Sequence, residues 1–264
     1  MNERPARIIL CAGSQECGKT TFLARIGEMF RAGKFDRYKF AWCFTPCGFE
    51  RVSWLATISS GVERPKTKRT KRIENDSFLH LRVRLADDKS QKFDLLIGDL
   101  AGETFPTAVS TKDFCVNLRS LATCDHLVVF LDSGRLLNQV ERHTERDNVT
   151  KFLQRAAEVK HSPKSLHVQV VFSRWDYALQ HADPIAANKY CEGIEADLKT
   201  KFIGVFSTIK FLRIAARPNP GVAATDAEIQ SLFGYWIETP FQPVHSLATG
   251  VRHPVRDFCA FGLA

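Results

Sequence analysis

The chain has 264 residues, 37 Lys and Arg against 29 Asp and Glu for a net charge of +8, with 44 % hydrophobic and 25 % charged residues. These proportions describe one large globular domain or two small ones and exclude a disordered chain. No apolar run approaches the roughly 18 residues a membrane span needs, the amino terminus MNERPARIIL lacks an apolar signal core, and the eight cysteines have no regular spacing, so a reducing cytoplasm is expected.

In chain order, short β-rich runs alternate with stretches of helical period, which predicts an α/β fold around a mostly parallel sheet. Strands are expected at Arg7 to Cys11, Phe78 to Leu85, Phe93 to Gly98, His126 to Asp132, Leu166 to Phe172 and Ile209 to Ala215. The second and third are separated only by ADDKSQK, too short for a helix, and should form an antiparallel hairpin. Lys19 to Arg31 places Phe22, Leu23, Ile26, Met29 and Phe30 at helical spacing, with Gly33 as a stop. Leu136 to Val159, with Val140 on its apolar face, and Pro184 to Phe202 read as further amphipathic helices. A last helix is expected behind a capping box formed by Thr225 and Glu228.

Residues 34–76 show no clear period and read as an insertion or mobile region, aromatic and Cys-rich at first, charged later. Within it, RPKTKRTKR at 64–72 holds Arg64, Lys66, Lys68, Arg69, Lys71 and Arg72 and no acid, a charge of +6, so the other 255 residues sum to +2 (8 − 6). The basicity belongs to one segment.

Gly13-Ser14-Gln15-Glu16-Cys17-Gly18-Lys19-Thr20 is a GxxxxGK[ST] phosphate loop between a predicted strand and a predicted helix. Backbone N–H groups of such a turn and of the helix start concentrate positive charge where a phosphate can sit. Lys19 would add a full charge on the β and γ oxygens, and the Thr20 hydroxyl would ligate Mg²⁺; Thr21 follows in the first helical turn. Asp99-Leu100-Ala101-Gly102 closes the apolar run FDLLIG and fits a DxxG element. There Asp99 would hold Mg²⁺ through water and the Gly102 N–H would sense a γ-phosphate. Ser173-Arg174-Trp175-Asp176 ends another apolar run and partly matches [NT]KxD. A carboxylate at Asp176 can accept from both N1–H and N2–H₂ of guanine, whereas adenine offers an acceptor at N1 and no amino group at C2. The Arg174 stem could cover the base, while Ser173 is too short to brace the phosphate loop as an amide would. One strand later, Ala215-Ala216-Arg217 stands where SAK would meet guanine O6.

With these four motifs in register, residues 7 to 217 resemble the Ras-like branch of the phosphate-loop GTPases. GSQECGKTTFL, KRT followed by FLHLRVRL, and DLAGE are most similar to the bacterial double-GTPase family of conflict and defence loci. The resemblance implies a six-stranded sheet with one antiparallel strand and helices on both faces, over a domain at 1–217 with residues 218–264 as a helix and tail packed on it. It implies a cytoplasmic switch that binds GTP and GDP with Mg²⁺ and works with a second GTPase, an activating protein or an effector. A switch threonine is expected to close over Mg²⁺ and the γ-phosphate, Thr70 or alternatively Thr67. Glu103 stands where a Gln would orient the attacking water, and Gln15 would crowd the γ-phosphate, so hydrolysis should be slow without a partner's Arg.

Other chemistry is less well supported. Cys43 and Cys47 have no second ligand pair, no His pairs with a nucleophile, and the aromatic and basic residues of 34–72 are segregated, which argues against nucleic acid as the partner. Two alternatives stay open: a nucleotide-binding interaction module with little hydrolysis, and an ATP-using enzyme, disfavoured by Asp176.

Overall fold

A computed structural model describes residues 5–41 and 78–240. Strand β1 (Arg7–Gly13) leads into helix α1 (Lys19–Arg31), followed by β2 (Tyr38–Phe40), β3 (Phe78–Leu85) and β4 (Lys92–Asp99). Three short helices, α2 (Phe105–Ser110), α3 (Lys112–Asn117) and α4 (Arg119–Thr123), precede β5 (His126–Asp132). Then come α5 (Ser133–Leu137), α6 (Arg142–Val159), β6 (His167–Ser173), α7 (Asp176–Leu179), α8 (Pro184–Lys201), β7 (Thr208–Ile214) and α9 (Asp226–Glu238).

Among the described residues the strands form one sheet in the order β2-β3-β4-β1-β5-β6-β7. The pairs β2·β3 and β3·β4 are antiparallel and the rest parallel, so β3 alone runs against the others. The sheet has seven strands where six were expected. The additional one, β2, is three residues long at the sheet edge, too short to show a period, and lies at the start of the stretch read as an insertion. Its aromatic neighbourhood explains why it forms there: Phe30 stacks on Phe35 and Phe40, and Tyr38 meets Phe233 edge-on.

Side chains of a strand alternate between faces, and β1 shows how this divides the core. Ile8, Leu10 and Ala12 join one cluster, covered by α2 to α8, while Ile9 and Cys11 join the other, covered by α1 and α9. Helix α1 buries Phe22, Leu23, Ile26 and Met29, each contributing about 1.5–3 kcal/mol of transfer free energy. Arg25 forks onto Asp226 at 2.8 and 2.9 Å, tying α1 to the start of α9. Helix α9 closes this layer with Phe233 and Trp236.

Two helix expectations need correction. The stretch 136–159 is two helices, broken at 138–141, and Val140 is 86 % exposed instead of lying on an apolar face. The Asn138 side chain accepts from the Val140 N–H at 2.9 Å, a local bond that competes with the helical one. Thr225 precedes α9 but does not cap it with its side chain. Its hydroxyl accepts instead from the Ala215 N–H at the exit of β7, 2.9 Å away.

Register brings the carboxyl ends of the parallel strands together: Cys11 pairs with Asp99, Gly13 with Phe130, Asp132 with Ser173, and Ser173 with Ile214. In open parallel sheets this is the edge where ligands bind.

Candidate functional site

Residues 14–18 turn the chain from β1 into α1. Gly13 is required by space, since a Cβ there would come 2.9 Å from both Cys17 Sγ and Phe130 O. Gly18, at φ 92°, and Glu16, at φ 63°, take the left-handed conformation on either side of Cys17. A left-handed residue at Glu16 costs roughly 1–2 kcal/mol. Such alternation turns successive N–H groups to one side and makes an anion-binding concavity. Helix α1 adds the N–H groups of its first turn, and no acidic residue stands there to oppose an anion.

Lys19 is buried and arches back over the loop, donating to the carbonyls of Gly13 at 3.0 Å and Ser14 at 3.1 Å. The Thr20 hydroxyl donates to Asp99 Oδ2 at 3.2 Å. Gly102 packs directly on the loop, where a Cβ would come 2.5 Å from Gln15 Cα and 2.8 Å from Gln15 N. Gln15 and Gly102 are therefore neighbours, while Glu103 is exposed in the turn before α2. The Thr20 hydroxyl and Asp99 carboxylate are hard oxygen donors beside an anion cradle, a set that suits Mg²⁺ shared with a phosphate. Cys17, beside the Lys19 ammonium, is no nucleophile: burial pushes its thiol up to about 11.

On the other side of β1, Ser173 ends β6 and its hydroxyl donates to Leu131 O at 3.1 Å, away from the loop. Arg174, at φ 52°, sends its stem past the loop, with Cγ 4.0 Å from where a Cβ on Gly18 would lie. Its guanidinium donates to Asp132 at 2.7 Å and lies 4.3 Å from the centre of the Tyr177 ring. Asp176, buried at the start of α7, accepts from the Asn219 N–H at 3.1 Å. The Asn219 contact also brings Asp176 to the turn that carries Ala216, which is buried, and Arg217. Thr70, Thr67 and the basic run at 64–72 lie outside the described residues.

A family model described as Double-GTPase 2 matches residues 7–237. The chain belongs to the Double-GTPase 2 family. Among solved structures it is similar to the signal recognition particle receptor SRb-GTP/SRX complex from Chaetomium thermophilum. The identity is 12 %, the TM-score 0.47, and the match covers 87 % of this chain and 99 % of that one. No curated protein matches. Among the described residues, no helix is long and apolar enough to cross a membrane.

In this family member two further residues, Glu145 and Arg135, hold the phosphate loop and a third, Asp132, lies behind them, and the motifs did not point to them. Glu145 of α6, 4 % exposed, accepts from the Ser14 hydroxyl at 3.0 and 3.1 Å and from the Asp132 N–H at 3.1 Å. Burial pushes its carboxyl up, partly offset by those two donors. Arg135 of α5 donates to the Gln15 carbonyl at 2.8 Å and lies 3.6 Å from Glu145. Asp132, wholly buried, accepts from the Gly134 N–H at 2.9 Å as well as from Arg174. Asp132 had a readable signal, because it closes an apolar strand as Asp99 does. Glu145 had none, being one of many charges on α6.

Proposed function

We propose that this chain is a GTP-binding and GTP-hydrolysing switch whose nucleotide lies across the carboxyl ends of β1, β4, β6 and β7. The observation that carries this reading is the meeting of Lys19, Thr20 and Asp99, 79 residues apart for the last two, at the start of α1 with Gly102 against the loop. The loop N–H groups and Lys19 bind the β and γ phosphates, where the Lys19 ammonium exchanges its present carbonyl partners for phosphate oxygens. Thr20, Asp99 through water and, as the candidate switch ligand, Thr70 would hold Mg²⁺, which would neutralise phosphate charge. Asp176 reads N1–H and N2–H₂ of guanine, the Ala216 and Arg217 backbone faces O6, and the Arg174 stem flanks the base.

Hydrolysis transfers the γ-phosphoryl group to water, breaking its bond to the β–γ bridging oxygen and leaving GDP and phosphate. Glu103 and Gln15 slow this step. The Glu103 carboxylate is repelled by the γ-phosphate it would have to approach, and Gln15, whose backbone packs against Gly102, would crowd the γ-phosphate with its side chain. A protein partner in the cytoplasm, a second GTPase, activating protein or effector, would supply an Arg that raises the rate. The segment after residue 217 belongs to the same domain, in keeping with the packing of α9 against α1.

The test is titration with fluorescent GDP and ADP, with and without Mg²⁺. We expect GDP to bind much more tightly than ADP, and Lys19→Ala to weaken GDP about 100-fold, the equivalent of a lost charge-assisted contact of about 3 kcal/mol. Equal affinity for the two nucleotides would remove the guanine assignment. A second reading, a binding module with negligible turnover, draws on Glu103. Single-turnover phosphate release no faster than in Lys19→Ala would favour it.

A further inference from the structure

Position 173 is near the phosphate loop, since its Cβ lies 4.0 Å from where a Cβ on Gly18 would stand. Its hydroxyl nevertheless turns to Leu131 O, so the loop is held from elsewhere. Glu145 holds it directly and Asp132 lies behind, through Arg135 and Arg174, and both carboxylates are almost without solvent. Taking a carboxylate out of water is expensive unless paired, and an apolar pair of the same size is often as stable. Here both carboxylates are buried and both are partnered. Glu145 takes the Ser14 hydroxyl on the loop and the Asp132 N–H on β5. Asp132 takes Arg174, two residues before Asp176. Arg135 stands between the two acids, 3.6 Å from Glu145 and 4.0 Å from Asp132, and holds the Gln15 carbonyl.

We propose that Glu145 and Asp132 are positioning residues for the nucleotide, joining the phosphate loop and the base-reading turn into one support in place of a side chain at 173. This rests on the nucleotide reading above. The two carboxylates act through Ser14, Arg135 and Arg174. Loosening either should release the phosphate and base ends together. Because the members share partners, their effects should not multiply.

The experiment measures fluorescent GDP dissociation from the full chain, with melting temperature confirming that each variant is folded. Glu145→Ala and Asp132→Asn should each speed dissociation about tenfold, and the double variant should exceed the faster single by no more than about threefold. Ser173→Asn, which puts a longer polar side chain beside the loop, should slow dissociation of Glu145→Ala at least threefold while leaving the parent within twofold. Should Glu145→Ala fail to fold, Glu145→Gln is compared in the same way, with and without Ser173→Asn. Single-variant rates within twofold of the parent, fully multiplicative effects, or no rescue by Ser173→Asn would each overturn the inference. A parent chain that binds no GDP would overturn the nucleotide reading itself, whereas a parent that binds with unchanged variants overturns this inference alone.

Discussion

Strands β5 and β6 lie side by side, buried along their whole length, and their two ends treat polar groups in opposite ways. At the carboxyl ends, Asp132 and its neighbour Glu145 stand among cations and N–H donors. At the amino ends, His126 stacks on His167 with ring centres 5.2 Å apart, and hydroxyls of Thr208 and Tyr235 meet His167 Nδ1 at 3.1 Å. Burial holds both histidines below their ordinary range, His126 strongly so, helped by the cations Arg7 and Lys210. The strands are equally dry at both ends. What differs is the partners: those at the carboxyl end belong to α5, α6 and the turn after β6, beside the phosphate loop, whereas those at the amino end belong to α9 and the sheet.

The largest way to sharpen this contrast is to unseal the amino end. Trp236 of α9 is wholly buried, 6.2 Å from Phe22 and 6.0 Å from Phe233 between ring centres. Trp236→Ala should destabilise the fold by about 3–5 kcal/mol in denaturant unfolding. At a temperature where the variant remains folded, GDP affinity should stay within a few-fold of the parent. A loss of GDP affinity matching the loss of stability would mean that the two ends are not separable.

The second test is pH, where the two ends have opposite signs. His126 and His167 are held neutral in the folded chain, so below about 6.5 the unfolded chain binds protons that the folded one refuses. Their stabilisation is present above that pH and is lost as pH falls, by up to about 1.4 kcal/mol per unit for each. Glu145 works the other way: its raised carboxyl pKa favours the fold at pH below its ordinary value of 4.5, and this advantage is lost as pH rises through the folded pKa. From pH 7.5 to 5.5 the histidines should dominate, so melting temperature falls in the parent and falls less in His126→Asn. An equal fall in both would show that His126 charges without penalty. The same substitution should leave GDP affinity at pH 7.5 within twofold, because the two ends of a seven-residue strand are roughly 20 Å apart.

This division also explains what could be read without coordinates. The bounds of α1, β3 and β5 follow from local period and punctuation, and the structure reproduces them as Lys19–Arg31, Phe78–Leu85 and His126–Asp132. The nearness of Thr20 to Asp99 and of Gly102 to the loop follows from local features as well, a strand end, a glycine and a helix start. Strand β2 was not, being three residues held by contacts with Phe30 and Phe233 from distant helices. Nor was Glu145, whose partner Ser14 is 131 residues away. The Ser173 hydroxyl donates to Leu131 O, and a sequence does not announce which distant residue reaches the loop.

Thr225 offers the smallest and most discriminating test, because a helix cap and a site tether differ in what they affect. The sequence pattern makes it the cap of α9, while the structure gives its hydroxyl to the Ala215 N–H, next to the proposed O6 contact at Ala216. Thr225→Ala should cost about 1 kcal/mol of stability, the ordinary value of one hydrogen bond. A cap lost from α9 would end there and leave GDP binding alone. A tether lost from Ala215 should also weaken GDP two- to fivefold, with Thr225→Ser restoring both quantities. Stability lost with GDP affinity unchanged would assign Thr225 to the amino-end seal with the rest of α9, and the tie between that helix and the base-reading turn would carry no functional weight.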